Sequence, residues 1–181
     1  DGIEEVYRYC TEYEIRGLGI NYHIVYSNGL AALQGDKREL DINEALRCFL
    51  CATRSDTELK FDAYRQVGEI YLYHRSADYI GFAKYYFIKA LQRRNHGGIQ
   101  QQLEVDTLKK LLEVYLKEQL ILTEKGKKEN SIDMIQRNMI GVRFYEELIY
   151  IKSRRLSEIQ QTSNTVSLDG TLNAEENENN G

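Results

Sequence analysis

Cys48 and Cys51 stand in a C-x-x-C spacing within the stretch from residue 45 to residue 53. Such a pair contributes to a zinc site when a second pair or two histidines complete it, and to a redox site when it opens a helix after a strand. Cys10 belongs to no second pair, and Cys48 falls in the middle of a predicted helix. We therefore expect structural thiols and no metal, with Cys48 near the packed face of the helix and Cys51 at its margin.

The three histidines, His23, His74 and His96, are far apart, and none has a carboxylate or cysteine partner at a catalytic spacing. Surface or loop positions are the expected places for them. The sequence contains no nucleophile-elbow, phosphate-loop or dinucleotide-binding glycine pattern. We therefore predict no catalytic residue and no cofactor, and we expect that the chain is not an enzyme.

The elements that must position these residues are helical, because apolar side chains recur every three or four residues along most of the chain. Asp41, with Glu44 three residues later, is a variant of the capping box that begins a helix. Gly97 and Gly98 follow a basic segment and predict a helix end. The predicted helices cover residues 3–17, 20–34, 41–53, 58–74, 78–94, 100–121 and 131–160.

The composition fits a helical chain with one globular domain. Its 181 residues contain no proline and 14 tyrosines, and the net charge of −4 gives no general argument for nucleic acid. No apolar run is long enough to span a membrane. The odd number of cysteines favours a reducing compartment, the cytoplasm or the nucleus. The expected domains are 1–160, which is helical, and 161–181, an acidic and compositionally disordered tail.

A repeat emerges when two segments 38 residues apart are compared. Both have the pattern of a small residue, an aromatic residue four positions later and a second small residue three positions after that. The preceding helices align at the same offset, with Tyr26 over Tyr64 and Leu33 over Tyr71. The segment 108–115 repeats the spacing once more. The residues that carry the second-helix pattern are Ala45, Phe49 and Ala52 in one copy, and Ala83, Phe87 and Ala90 in the other.

This pattern resembles the tetratricopeptide repeat and, more loosely, the Sel1-like repeat. Tyr64, Val67, Gly68 and Tyr71 occupy the positions of the first-helix motif. The link between the two helices is about three residues longer than in a standard tetratricopeptide repeat, and the closing proline is absent. Residues 20–120 carry the resemblance well. The segment 131–160 carries it weakly, through Gly141, Tyr145 and Leu148.

The resemblance implies an all-α fold of about three stacked antiparallel helical pairs, a tetratricopeptide-like α-solenoid with a long C-terminal helix. An unrelated helical bundle is the alternative fold. The resemblance further implies a non-catalytic scaffold or adaptor within a larger complex, which binds a segment of a partner protein in a groove lined by the first helices. The residues expected to contact the partner are Asn28, Arg65, Gln66, Glu69, Lys109, Lys110 and Glu113.

Some tetratricopeptide domains hold a C-terminal carboxylate with lysines and asparagines on successive first helices. This clamp does not carry over, because its positions hold Ser27, Ala31 and Gln66, and Lys110 alone matches in charge. Basic clusters at 93–94, 125–128 and 152–155 favour either helix ends or an acidic partner, which could be the chain's own tail. Nucleic acid is a less favoured partner.

Two other function classes stay open from the sequence. The chain could be a helical regulatory subunit or enzyme with a small-molecule pocket, which would need convergent polar groups in a deep cavity. It could also be a helical bundle that associates with itself. The sequence leaves the oligomeric state undetermined.

Overall fold

The structure, a computed structural model, describes residues 19–35, 41–93, 98–125 and 131–178. Regular structure in these ranges is helical throughout, which confirms the all-α class. The predicted helix over residues 3–17 lies outside the described residues. The described residues form six α-helices, namely α1 (Tyr22–Gln34), α2 (Ile42–Ala52), α3 (Leu59–Tyr73), α4 (Ile80–Leu91), α5 (Gly98–Lys125) and α6 (Ser131–Glu178), with a 3-10 turn (Ala77–Tyr79) before α4.

The first two helices begin and end at residues with the required chemistry. The Asn21 side chain accepts a hydrogen bond from the Ile24 amide at 3.3 Å, and the Asp41 side chain accepts one from the Glu44 amide at 2.9 Å. These bonds satisfy amides that have no partner inside the helix. Gly35 ends α1 with φ at 67°, a left-handed conformation that favours glycine. The predicted cap at Asp41 is thus confirmed.

Each helix packs against the next one in the chain, from α1 through α6. Alternate helices also meet, because α1 contacts α3 and α3 contacts α5. The core is apolar and runs through these contacts, since burial of apolar surface drives helices together. Its fully buried large side chains include Phe49, Val67, Ile70, Phe87, Leu111 and Val114.

Two glycines allow the two helices within each of the first two pairs to pack closely together. A Cβ atom added to Gly29 would lie 2.8 Å from the Phe49 ring, and one added to Gly68 would lie 2.9 Å from the Phe87 ring. The phenylalanines are 38 residues apart, whereas the glycines that they contact are 39 apart. The sequence alignment of the first helices, with Tyr26 over Tyr64, is therefore wrong by one residue.

The third pair, α5 and α6, also approaches closely, with the glycine on its second helix. A Cβ at Gly141 would lie 2.5 Å from the Tyr115 ring. One turn away, the buried Asn138 side chain donates hydrogen bonds to the Tyr115 carbonyl at 2.8 Å and to the Gln119 side chain at 2.9 Å. Its own oxygen is buried with no hydrogen-bond partner. The pair is thus aligned by a polar contact as well as by packing.

Cys48 and Cys51 are equally buried on α2, each 1% exposed, so the expected marginal position of Cys51 is wrong. Cys48 is a free thiol. Cys51 is disulfide-bonded, and its partner lies outside the described residues. Its expected role as a free structural thiol is therefore wrong as well. A disulfide is more typical of oxidising compartments, so this residue does not favour the reducing compartment predicted from the cysteine count.

Cys48 is expected to resist alkylation in the folded chain. Burial, and after it the nearby Glu44 carboxylate, raise the pKa of its thiol to about 12. Since the thiolate is the nucleophile, iodoacetamide at pH 8 should modify Cys48 roughly a thousand times more slowly in the native chain than in urea. The raised pKa also predicts that stability falls above pH 9, where the unfolded thiol ionises first. Peptide mapping by mass spectrometry measures the rate. Equal labelling in native buffer and in urea would contradict the buried position.

Helix α6 continues to Glu178 and does not end near residue 160 as expected. Side chains 161–166 are all exposed along this extension. The residues are polar, but they contain no proline and only one glycine before 179, so the backbone can continue the helix. The extension does not fold back over Lys109 and Lys110.

Within the described residues, no helix is long and apolar enough to cross a membrane.

Candidate interaction surface on α3 and α5

Three charged residues from the expected set meet where α3 crosses α5. The Glu69 carboxylate lies 3.1 Å from the Arg65 guanidinium and 3.4 Å from the Lys110 ammonium. Arg65 is one turn before Glu69 on α3, whereas Lys110 reaches it from α5. All three side chains keep between a fifth and a quarter of their surface exposed. Glu69 therefore links the two helices at the surface.

A second cluster lies one turn further along both helices and is centred on Tyr73. The Tyr73 hydroxyl donates a hydrogen bond to the Glu113 carboxylate at 2.7 Å. The ammonium groups of Lys110 and Lys117 lie 5.2 Å and 5.3 Å from the Tyr73 ring centroid. Burial, then the Glu113 hydrogen bond and the negative charges of Glu113 and Glu69, raise the pKa of Tyr73. The hydroxyl thus remains a donor at neutral pH.

Lys117 also anchors this cluster to the end of α3. Its ammonium donates to the Leu72 carbonyl at 3.2 Å and lies 3.8 Å from the Glu113 carboxylate. A cation at a helix C-terminus is favourable because the last carbonyls have no partner within the helix. Tyr73 nevertheless remains 46% exposed. An aromatic ring with two cations beside it is therefore available at the surface.

The other expected residues divide into one that is buried and two outside the clusters. Gln66 is only 9% exposed, and its amide donates to the Tyr26 hydroxyl on α1 at 3.4 Å. It faces α1 and not solvent, so its position on α3 serves packing. Asn28 and Lys109 are exposed, and neither joins the two clusters within the described part of the chain. The structure therefore brings together Arg65, Glu69, Lys110 and Glu113.

Tyr73 and Lys117 belong to this surface but were not among the residues predicted from the sequence. Their spacing in the sequence nevertheless indicates that they share a helix face with expected residues. Tyr73 follows Glu69 by four residues, and Lys117 follows Glu113 by four residues. Residues four apart lie on the same helix face, so both extend the expected surface by one turn. We define the α3/α5 surface as Arg65, Glu69, Tyr73, Lys110, Glu113 and Lys117.

A small cavity lies between α3, α4 and α5. It bears on whether the chain has a small-molecule site. Phe61, Arg65, Arg93 and Thr107 are among the residues that line it. The Arg93 guanidinium lies 2.8 Å from the Glu58 carboxylate and 3.1 Å from the Asp62 carboxylate. Since these carboxylates already neutralise Arg93, its charge serves the contact between α3 and the end of α4.

The other basic clusters have local partners where they are described. Lys152 lies 2.6 Å from the Glu104 carboxylate, and Arg154 lies 3.2 Å from the Glu158 carboxylate. The cluster at 126–128 lies outside the described residues. In the part of the chain that the structure describes, no group of three histidine, cysteine or acidic side chains could hold a metal ion.

No protein-family model, curated protein or solved structure matches the chain. The resemblance to the tetratricopeptide and Sel1-like repeats therefore remains a prediction that rests on the residues of the chain itself.

Proposed function

We propose that the chain is a non-catalytic interaction module, which binds an acidic segment of another protein on the α3/α5 surface. The observation that carries this proposal is the exposed Tyr73 ring between two lysine ammonium groups. A tyrosine offers a rigid apolar contact, and the adjacent cations attract carboxylates. The surface has three cations, namely Arg65, Lys110 and Lys117, against the two carboxylates of Glu69 and Glu113. This excess favours a negatively charged partner.

The arrangement of the helices supports a repeat-like architecture for this module. Contacts of α1 with α3 and of α3 with α5 accompany the sequential pairs, as in arrays of stacked helical pairs. In such an array the first helices share one face, which is where the α3/α5 surface lies. We propose on this basis a tetratricopeptide-like stack that works within a larger assembly.

The experiment measures the affinity of the full chain for a fluorescein-labelled 12-residue peptide rich in glutamate and aspartate, by fluorescence anisotropy. The Lys110→Ala, Lys117→Ala double variant should weaken binding by about tenfold, because two charge-assisted contacts are lost. Binding should also weaken as salt rises from low to physiological concentration. Lys89→Ala is the matched control, since Lys89 also lies beside a tyrosine ring, that of Tyr85, but on α4.

Two results would overturn the proposal. One is an affinity of the double variant equal to that of the unchanged chain, and the other is an equal loss in the Lys89→Ala control. Circular dichroism of each variant shows that the helices remain folded. Tyr73→Ala adds a separate readout, because it removes the aromatic contact and leaves both lysines in place.

A further inference from the structure

Helix α6 carries a continuous stripe of side chains that lies off its contact with α5. The members recur at intervals of three or four residues, so they follow one face of the helix. Six of the eight are apolar, and the stripe extends for about 40 Å at a rise of roughly 1.5 Å per residue. We call this stripe the α6 seam, and it consists of Ile140, Phe144, Leu148, Ile151, Arg155, Ile159, Thr162 and Val166.

The seam is exposed in the chain as described, except at Leu148, which is half-buried. Ile140 is 69% exposed, Phe144 57% and Val166 67%, whereas α6 meets α5 through the neighbouring face that bears Asn138 and Tyr145. Exposed apolar residues that are scattered singly need no explanation, but a continuous apolar stripe marks an interaction surface. A second helix packed along the seam would cover it as in a two-stranded coiled coil.

We propose that the partner of the seam is α6 of a second copy of this chain, in an antiparallel arrangement. An antiparallel alignment centred between residues 149 and 150 places Leu148 beside the second copy's Ile151, and Ile140 beside its Ile159. The same alignment places Phe144 beside the second copy's Arg155, where the guanidinium can stack on the ring. Each of these contacts occurs twice because of the two-fold symmetry.

Charge at the edge of the seam selects the same arrangement. Glu147 and Arg154 flank the seam on the same side, and the alignment brings Glu147 of one copy within one turn of Arg154 of the other. The reverse contact is identical by symmetry. Both residues are exposed, and Arg154 is already 3.2 Å from Glu158 in its own chain. A glutamate opposite an arginine supports association, whereas like charges at this position oppose it.

The seam on α6 extends beyond the contact of α6 with α5. Lys152 contacts Glu104 near the beginning of α5, and Ile159 lines a groove with Gln101. The seam continues beyond this point to Val166, where side chains 161–166 are all exposed. In the antiparallel arrangement, this end of the seam lies against the first turns of the second copy's α6. Thr162 then lies beside the second copy's Arg137, and Val166 beside its Asp133, both of which are exposed.

Sedimentation equilibrium of the full chain tests the proposal. The unchanged chain should form a dimer at micromolar concentration, and Phe144→Glu should raise the dimer dissociation constant at least tenfold. Tyr150→Glu is the matched control, because Tyr150 is an exposed aromatic residue on α6 outside the seam, and it should leave the constant within about twofold. A monomer at 100 µM would overturn the proposal and would indicate that the seam binds a different protein. Equal effects of the two variants would overturn it too.

A charge exchange tests the orientation. Glu147→Arg and Arg154→Glu should each weaken the dimer about fivefold at low salt, because each places like charges opposite each other twice. The two changes together should restore the dissociation constant to within about twofold of the unchanged chain. If the combined variant is as weak as the single ones, the antiparallel alignment is wrong.

Discussion

Replacing Phe87 with alanine is expected to lower the free energy of unfolding by about 3 to 5 kcal/mol, the usual cost of removing a buried aromatic ring. The Phe87 side chain is completely buried and lies against the backbone of α3 at Gly68. Neighbouring side chains cannot fill the space, because helix backbone forms one wall of it. The cost combines lost burial with the cavity that remains.

Urea denaturation followed by circular dichroism measures this change. Phe82→Ala is the control, since Phe82 lies on the same helix and stacks on Tyr71 at 5.2 Å but is 40% exposed. Phe82→Ala should lower the free energy of unfolding by less than half as much as Phe87→Ala. The reason is that part of the Phe82 side chain stays in contact with water in the folded chain. Similar losses in the two variants would show that Phe87 is not at the centre of the core.

Replacing Gly68 with leucine is also expected to destabilise the chain, for the opposite reason. The first added carbon would lie 2.9 Å from the Phe87 ring, which is closer than such carbon atoms approach. The ring is buried and cannot swing into solvent, so α3 and α4 must separate. Overpacking of this kind costs about 1 to 3 kcal/mol or more. The effect should appear as a fall in the melting temperature of the helical signal.

Gly81→Ala is the matched control for this glycine. Gly81 is also helical and lies on α4, but no atom lies within 4 Å of the Cβ position. Alanine there should stabilise the chain by up to about 1 kcal/mol, because glycine is the weaker helix former. Opposite signs for the two glycines are the expected result. A stable Gly68→Leu variant would contradict the close contact between α3 and α4.

The helices were predictable because apolar period and cap chemistry act locally. Asp41 and Glu44 predict the start of α2 from four residues, and the structure confirms the bond. The one-residue shift between Gly29 and Gly68 was not predictable from matching tyrosines. It depends on which face of the first helix contacts the phenylalanine, and that is decided by packing between helices.

The α3/α5 surface was only partly predictable, because the contacts among its residues also depend on packing between helices. Arg65, Glu69 and Lys110 were expected at solvent, and they meet because α3 and α5 cross there. Gln66 is adjacent to Arg65 in sequence but points to α1, because consecutive helix residues are about 100° apart around the axis. The disulfide state of Cys51 could not be inferred, since spacing alone does not decide pairing.

The packing of each helix on the next one has a consequence for how the chain folds. Its contacts join segments that are near in sequence, so the relative contact order is low. Chains of this kind lose little entropy in closing loops before the first contacts form, and they fold on microsecond to millisecond timescales. Opening can likewise begin at one helical pair without disturbing the others at once. Hydrogen exchange should therefore be slower in α2, α3, α4 and α5, which have packed helices on both sides in the described part of the chain, than in the exposed end of α6.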